Sequence, residues 1–265
     1  VPTAAEDRRG RFRQYGYLQA SGVFSPAEME GLLSEIRAAA ARAPEACALS
    51  TGGMDFYSNL LPHSPELRRF VVDPRLLDLV VPIGGPDLWV RWDQAVAKGP
   101  GAPAFPWHQD NGYNRLRHEH YQVWVALTSA TAHNGGLWVV PGSHEGPVPH
   151  FRVGSFEEAQ VAPSGEICLT AEAGDVTVFS SLLLHTTRPN TTDTERWAYV
   201  AEYVRLGHYD PFVWPPYFVA ARRGRPAPRY VNWFRGRLNP LEQARYVGPR
   251  LKLHREEGRW RRGNA

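Results

Sequence analysis

Leu88-Trp89-Val90-Arg91-Trp92, residues 88–92, is where the chain changes texture. The stretch alternates and is rich in residues that fit a pleated, half-buried surface, so it predicts a strand. Similar stretches follow at Tyr121–Leu127, Leu137–Val140, Val176–Phe179 and Trp197–Val204. Turn signals separate them, among them Pro141-Gly142 and Ala173-Gly174-Asp175. No helical periodicity lies between successive strands, which argues against βαβ units and for a sandwich or barrel. The expected fold is mainly β with flanking helices: a double-stranded β-helix, or cupin-like jelly roll.

Upstream of residue 88 the pattern is helical. Ser25-Pro26-Ala27-Glu28 carries a capping box with proline at the first helical position. Met29, Leu32, Leu33 and Ile36 then form an apolar stripe, and the helix is expected to run to Pro44. Residues 50–63, with Gly52-Gly53, read as loop. Two further helices are predicted, Ser64 to Val72 and Pro74 to Val81, with Pro82–Pro86 ending the second. Downstream, Phe212-Val213-Trp214-Pro215-Pro216-Tyr217-Phe218 is aromatic and proline-rich. Arg222-Arg223-Gly224-Arg225 and a basic end follow, read as a solvated tail with extended packing across the core. One domain is expected over 1–265: a helical front to about 85, a core over about 86–205, and an aromatic, basic extension over about 206–265.

Of 265 residues 43% are hydrophobic, enough for a sizeable core. The net charge of +3 is too mild to argue for nucleic acid. No apolar run approaches the ~18 residues of a membrane span, and the first residues lack a signal-peptide pattern. Cys47 and Cys168 are far apart and have no metal-binding spacing, so they read as buried thiols in a reducing compartment. A cytoplasmic protein working on neither nucleic acid nor membrane is the expectation; the oligomeric state stays open.

The chemistry centres on Trp107-His108-Gln109-Asp110 and on His185. On a strand, residues i and i+2 share a face, so His108 and Asp110 could converge on one ion. His185, delivered by the apolar Leu182-Leu183-Leu184, would complete a 2-His-1-carboxylate set, the arrangement of non-heme Fe(II) oxygenases. Arg196 lies eleven residues beyond His185. On an adjacent antiparallel strand it could grip a carboxylate bidentately, with Thr187 adding a hydroxyl. His118, His120, His133 and His144 read as structural or exposed, and Asp175 as a turn residue.

In this order of motifs the chain resembles the phytanoyl-CoA dioxygenase family of Fe(II)/2-oxoglutarate oxygenases. The matching residues are Gln94 and Lys98, then Trp107-His108-Gln109-Asp110, Asn134-Gly135-Gly136-Leu137, and Pro141-Gly142-Ser143-His144. Ala173-Gly174-Asp175, His185-Thr186-Thr187 with Pro189-Asn190, and Arg196 complete the series. The resemblance covers roughly residues 55–205 and fades beyond about 208. It implies that His108, Asp110 and His185 hold Fe(II). It implies that 2-oxoglutarate binds with its C5 carboxylate on Arg196 and Thr187, with Gln94 a further polar contact and Leu137 and Val139 as walls. O2 would be the oxidant, with succinate and CO2 as co-products. Halogenating relatives have a small residue where this chain has Asp110, so oxidation without halide is implied.

The leading expectation is hydroxylation of an unactivated C–H of a small molecule, a bacterial natural product or intermediate. Alternatives are desaturation, epoxidation or cyclisation on the same iron chemistry, a zinc hydrolase using the same ligands, or a non-catalytic jelly-roll binding protein. Trp107, Tyr113, Trp124 and Trp214 are candidate substrate contacts. The segments 50–63, 111–120 and 205–220 are aromatic-rich and favour a partly apolar or ring-containing substrate. Arg115, Arg117 and His118 could accept an anionic group.

Overall fold

The structure, a computed structural model, describes residues 4–42, 47–114, 116, 118–154, 156–161, 163–208, 210, 213 and 216–232. Among the described residues, four α-helices and three strands precede residue 88: α1 (Ala4–Tyr15), β1 (Tyr17–Ala20), α2 (Pro26–Arg42), β2 (Cys47–Thr51), β3 (Met54–Ser58), α3 (Pro65–Phe70) and α4 (Pro74–Gly84). The capping box of α2 forms as expected. The Ser25 amide donates to the Glu28 carboxylate at 2.8 Å, and the Glu28 amide donates to Ser25 Oγ at 3.3 Å.

The front differs from expectation in three places. Residues 50–63 are not loop: β2 and β3 form a hairpin turned by Gly52-Gly53, both at positive φ, and β3 joins the main sheet. Ahead of α2 the structure adds α1 and β1, elements that no sequence signal announces. Helix α4 also continues through Pro82 to Gly84. Proline has no N–H to give the Asp78 carbonyl, and the Arg8 guanidinium fills that place at 3.0 Å. Helix α2 stops at Arg42, and the expected stop at Pro44 lies outside the described residues.

From residue 88 the order is β4 (Leu88–Lys98), β5 (Phe105–His108), α5 (Asp110–Asn114), β6 (Tyr121–Ala126), β7 (Leu137–Val139), β8 (His150–Val153) and β9 (Phe156–Ala159). Then come β10 (Ile167–Leu169), β11 (Val176–Ser180), β12 (His185–Thr187), β13 (Arg196–Arg205), β14 (Tyr217–Arg222) and β15 (Arg225–Val231). The large sheet runs β1-β11-β6-β13-β4-β14-β15, and all its pairs are antiparallel. One edge of β4 is shared: β3 pairs with Gln94–Lys98 and β14 with Leu88–Val90. A four-stranded sheet, β10-β7-β12-β5, faces it, as in a jelly roll. Residues 217–231 are therefore a hairpin built into the large sheet, so extended packing on the core holds for β14, while a solvated tail does not describe this segment. Their neighbours 211, 212, 214, 215 and 233–265 lie outside the described residues.

Two cores follow from the alternation along the central strands. Val123 and Val125 of β6, with Tyr199, Ala201 and Tyr203 of β13, pack under α2 and α4. Trp124, Ala126 and Ala198 turn the other way and meet Leu137, Val139 and Leu169 of the small sheet. Because helices cover the outer face, β6 is buried on both sides and is apolar except for Gln122. Asp175 is a turn residue, its carboxylate accepting from the Gly22 and Glu172 amides. Cys168 is half-buried rather than buried, and the Cys47 side chain lies outside the described residues. No helix among the described residues is long and apolar enough to cross a membrane.

Candidate active site

Strands β5 and β12 are neighbours in the small sheet, and their register sets His108 directly opposite His185. The two imidazoles lie 4.0 Å apart between ring centres. Asp110 arrives differently from the expected i, i+2 strand geometry. The strand ends at His108, and Asp110 opens the short helix α5, which folds its carboxylate back between the two rings. Asp110 Oδ1 is 3.6 Å from His108 Nε2 and 3.7 Å from His185 Nε2. The ligand atoms of the three residues all lie within 4.8 Å of one another.

Each ring is oriented from behind. His108 Nδ1 faces the Pro106 carbonyl and His185 Nδ1 the Leu183 carbonyl, both at 2.9 Å. That fixes the protons on Nδ1 and leaves the Nε2 lone pairs for a metal. Burial and the neighbouring His108 push the His185 pKa down to about 4, so its ring is neutral at physiological pH. Burial alone would raise Asp110, but His185 and His108 outweigh it and hold its pKa at about 2. Asp110 Oδ2 is buried with no hydrogen-bond partner among the described residues. An orphaned carboxylate oxygen beside two imidazoles whose Nδ1 atoms are committed to backbone carbonyls fits a divalent metal.

The backbone between the ligands is clamped. Gln109 is fully buried; its amide nitrogen donates to the Gly146 and Leu182 carbonyls, and its side-chain oxygen accepts from the Val148 amide at 2.9 Å. The Gln109 backbone N–H donates to His150 Nε2 at 3.0 Å, and His150 Nδ1 faces the Val148 carbonyl at 2.9 Å. His150 was not singled out from sequence, because it sits on a separate hairpin with no motif around it.

Arg196 faces the triad across the sandwich. It starts β13 of the large sheet, whereas His185 starts β12 of the small one, so the two are not on adjacent strands. Arg196 is 1% exposed and pairs in register with Lys98, itself fully buried. Lys98 Nζ donates to Thr187 Oγ1 at 2.9 Å and to the Thr187 carbonyl at 3.2 Å. Room for Lys98 comes from Gly135 (φ 83°), where a Cβ would lie 2.5 Å from Lys98 Cδ. Burial lowers the Arg196 pKa to about 10. Burial and the Arg196 charge lower Lys98 to about 7. Neither forms a salt bridge among the described residues, and Arg196 Nε has no hydrogen-bond partner there. Arg196 and Lys98, buried side by side without a carboxylate partner among the described residues, can hold an anion.

A cavity of about 130 Å³ joins these parts. His108, Asp110, His185, Thr187, Arg196, Gln94 and Trp124 all line it. Gln94 Nε2 donates to Ser58 Oγ at 2.8 Å, and Met54 and Phe56 of the unexpected hairpin form a wall. Leu137 lines it too, whereas Val139 packs in the inter-sheet core. Trp107 is half-buried and does not line the cavity, since strand alternation turns it away from His108. Tyr113 does not line the cavity either; it is 38% exposed, its ring edge-on to His108 at 5.5 Å. Trp214, Arg115 and Arg117 lie outside the described residues. Gln122 and Glu202 also line the cavity, and sequence reading did not select them.

The phytanoyl-CoA dioxygenase (PhyH) family profile matches residues 12–198. Among curated proteins, the dioxygenase lolE1 of Epichloe uncinata is 29% identical over 152 residues, covering 57% of this chain and 58% of that protein. The dioxygenase af480 of Aspergillus fumigatus is 29% identical over 224 residues, covering 78% of this chain and 68% of its own length. The solved structure of SnoN, a non-heme alpha ketoglutarate dependent epimerase from nogalamycin biosynthesis, superposes with a TM-score of 0.66 at 23% identity, covering 84% of this chain and 87% of SnoN. At that identity the likeness is one of fold.

Proposed function

Since the chain belongs to the phytanoyl-CoA dioxygenase family, we propose that it is an Fe(II)/2-oxoglutarate-dependent oxygenase acting as one domain on a small molecule. The observation that carries this reading is the convergence of His108 Nε2, His185 Nε2 and Asp110 Oδ1, with both Nδ1 atoms committed to backbone carbonyls. Fe(II) bound there with 2-oxoglutarate supplies O2-dependent decarboxylation to succinate coupled to oxidation of a C–H bond. The rest falls to the chain. Arg196 and Lys98 neutralise the C5 carboxylate, and Thr187, already bonded to Lys98, adds a hydroxyl. Leu137, opposite Thr187, and Trp124 keep water from that end of the cavity. Gln94 is a polar contact on the cavity wall, held by Ser58. Asp110 fills the coordination position a halide would need, so the reaction is hydroxylation or a related oxidation rather than halogenation.

A natural-product substrate is supported by SnoN, whose structure was also solved with Fe3+, alpha ketoglutarate and nogalamycin RO and superposes with a TM-score of 0.65. The reading is tested by incubating the protein with Fe(II), 2-oxoglutarate and O2 and no added substrate. Slow formation of succinate, lost in His185→Ala, is expected. Succinate at background level in the iron-loaded wild type would contradict it.

A further inference from the structure

At the cavity end remote from Arg196, strand register sets Trp92 of β4, Glu202 of β13 and Gln122 of β6 in one row. All three line the cavity. Glu202 lies six positions beyond Arg196 on β13, roughly 20 Å along an extended strand. The large sheet therefore presents two cations at one end of its inner face and a carboxylate with an amide at the other.

Gln122 is 1% exposed, yet neither its Nε2 nor its Oε1 has a hydrogen-bond partner among the described residues. Burying an amide with donor and acceptor both unpaired is costly, and an apolar side chain would pack there at less cost. Its neighbour Glu202 is held from behind: Arg91 donates to Glu202 and to Asp210, and His120 Nε2 lies 3.7 Å from Glu202 Oε2. A carboxylate fixed in this way beside an uncommitted amide is preorganised for a ligand.

We propose that Gln122 and Glu202 form the substrate-anchoring subsite, and that it takes a small molecule through a hydroxyl or amine. The complementarity is specific. Glu202 as a carboxylate only accepts, and Gln122 both accepts and donates. A group with an O–H or N–H satisfies Glu202 or Gln122 Oε1, and a hydroxyl oxygen can also accept from Gln122 Nε2. A carbonyl-only group offers Glu202 no donor beyond Arg91. Anchoring there leaves the Arg196 end to the co-substrate. The word substrate rests on the oxygenase reading; the binding test below does not.

The test uses the metal-free full chain and tryptophan fluorescence, since Trp92 and Trp124 both line the cavity. Cyclohexanol, cyclohexylamine and cyclohexanone are titrated as probes of one ring size. The alcohol or the amine should bind more tightly than the ketone by roughly 2- to 12-fold, the worth of about one hydrogen bond. Stronger amine binding assigns the recognition to the Glu202 charge, and stronger alcohol binding to the Gln122 amide. Gln122→Leu should reduce the alcohol's preference and should melt at or above the wild-type temperature, because an unpaired buried amide is removed. Glu202→Gln, which keeps an acceptor for Arg91, should reduce the amine's preference. Equal binding of the three probes to wild type, or a Gln122→Leu chain that melts lower, overturns the subsite. If that happens while Fe(II) and 2-oxoglutarate still bind, the oxygenase reading stands and only the anchor is lost.

Discussion

Replacing Arg196 with leucine separates binding of the co-substrate from stability of the fold. The guanidinium is 1% exposed, and burial alone lowers its pKa. In the unliganded chain its charge is therefore a liability that leucine removes, so the melting temperature of Arg196→Leu should equal or exceed that of wild type. The liganded state is the reverse. Removing one partner of a desolvated charge pair costs about 2–5 kcal/mol, or roughly 30- to 5,000-fold in affinity. Lys98, in register beside Arg196, moderates this loss. With the Arg196 charge gone, one cause of the depressed Lys98 pKa disappears, and Lys98 gains cationic character. The expected loss is thus near the lower end, about 30- to 100-fold in 2-oxoglutarate affinity, with Fe(II) affinity unchanged. Anaerobic titration of the Fe(II) protein with 2-oxoglutarate, followed by the visible charge-transfer band, measures it. An unchanged 2-oxoglutarate affinity in Arg196→Leu would refute the reasoning and move the C5 carboxylate elsewhere.

Lys98, lowered to about 7, makes 2-oxoglutarate binding pH-dependent. The anion needs the cationic lysine, so affinity should fall as pH rises above about 7, and Lys98→Met should be weaker and flat with pH across pH 6–9 in the same titration. In the unliganded chain the sign is opposite: the unfolded lysine holds its proton from about 7 up to 10.5 while the folded one does not, so stability attributable to Lys98 rises with pH over that window. His150→Leu removes the acceptor of the Gln109 amide between two ligands and should weaken Fe(II) binding by about 10- to 100-fold, measured by chelator competition, with helix content unchanged by circular dichroism. Asp110→Gly should lose most succinate formation, whereas wild-type turnover should be indifferent to added chloride; halide-dependent turnover in the wild type would remove Asp110 from the ligand set.

The site residues that sequence exposes are those in short local motifs. His108, Asp110 and His185 stand in recognisable strings, and Arg196 follows at a fixed interval. The local geometry was less legible. Asp110 reaches the cluster through a helix turn, because the strand stops at His108. Arg196 reaches it across the sandwich, because β12 and β13 belong to different sheets. Hairpin β2–β3 reads as loop since Gly52-Gly53 dominates a short pair of strands, and the pairing of β3 with β4 is non-local. Residues 217–231 read as tail because arginine and proline fill an exposed edge strand, where both are tolerated. Gln122 and Glu202 are invisible for a related reason. Each lies within an ordinary strand, and only register sets them side by side on the cavity.

The central claim is that His108, Asp110 and His185 hold Fe(II) with 2-oxoglutarate alongside. Anaerobic addition of one equivalent each of Fe(II) and 2-oxoglutarate to the wild-type chain tests it directly. A visible charge-transfer band that saturates at one iron and one 2-oxoglutarate per chain, and is lost in His185→Ala, is the predicted result. A wild-type chain that binds iron but develops no band, or a His185→Ala chain that develops it fully, would contradict the account.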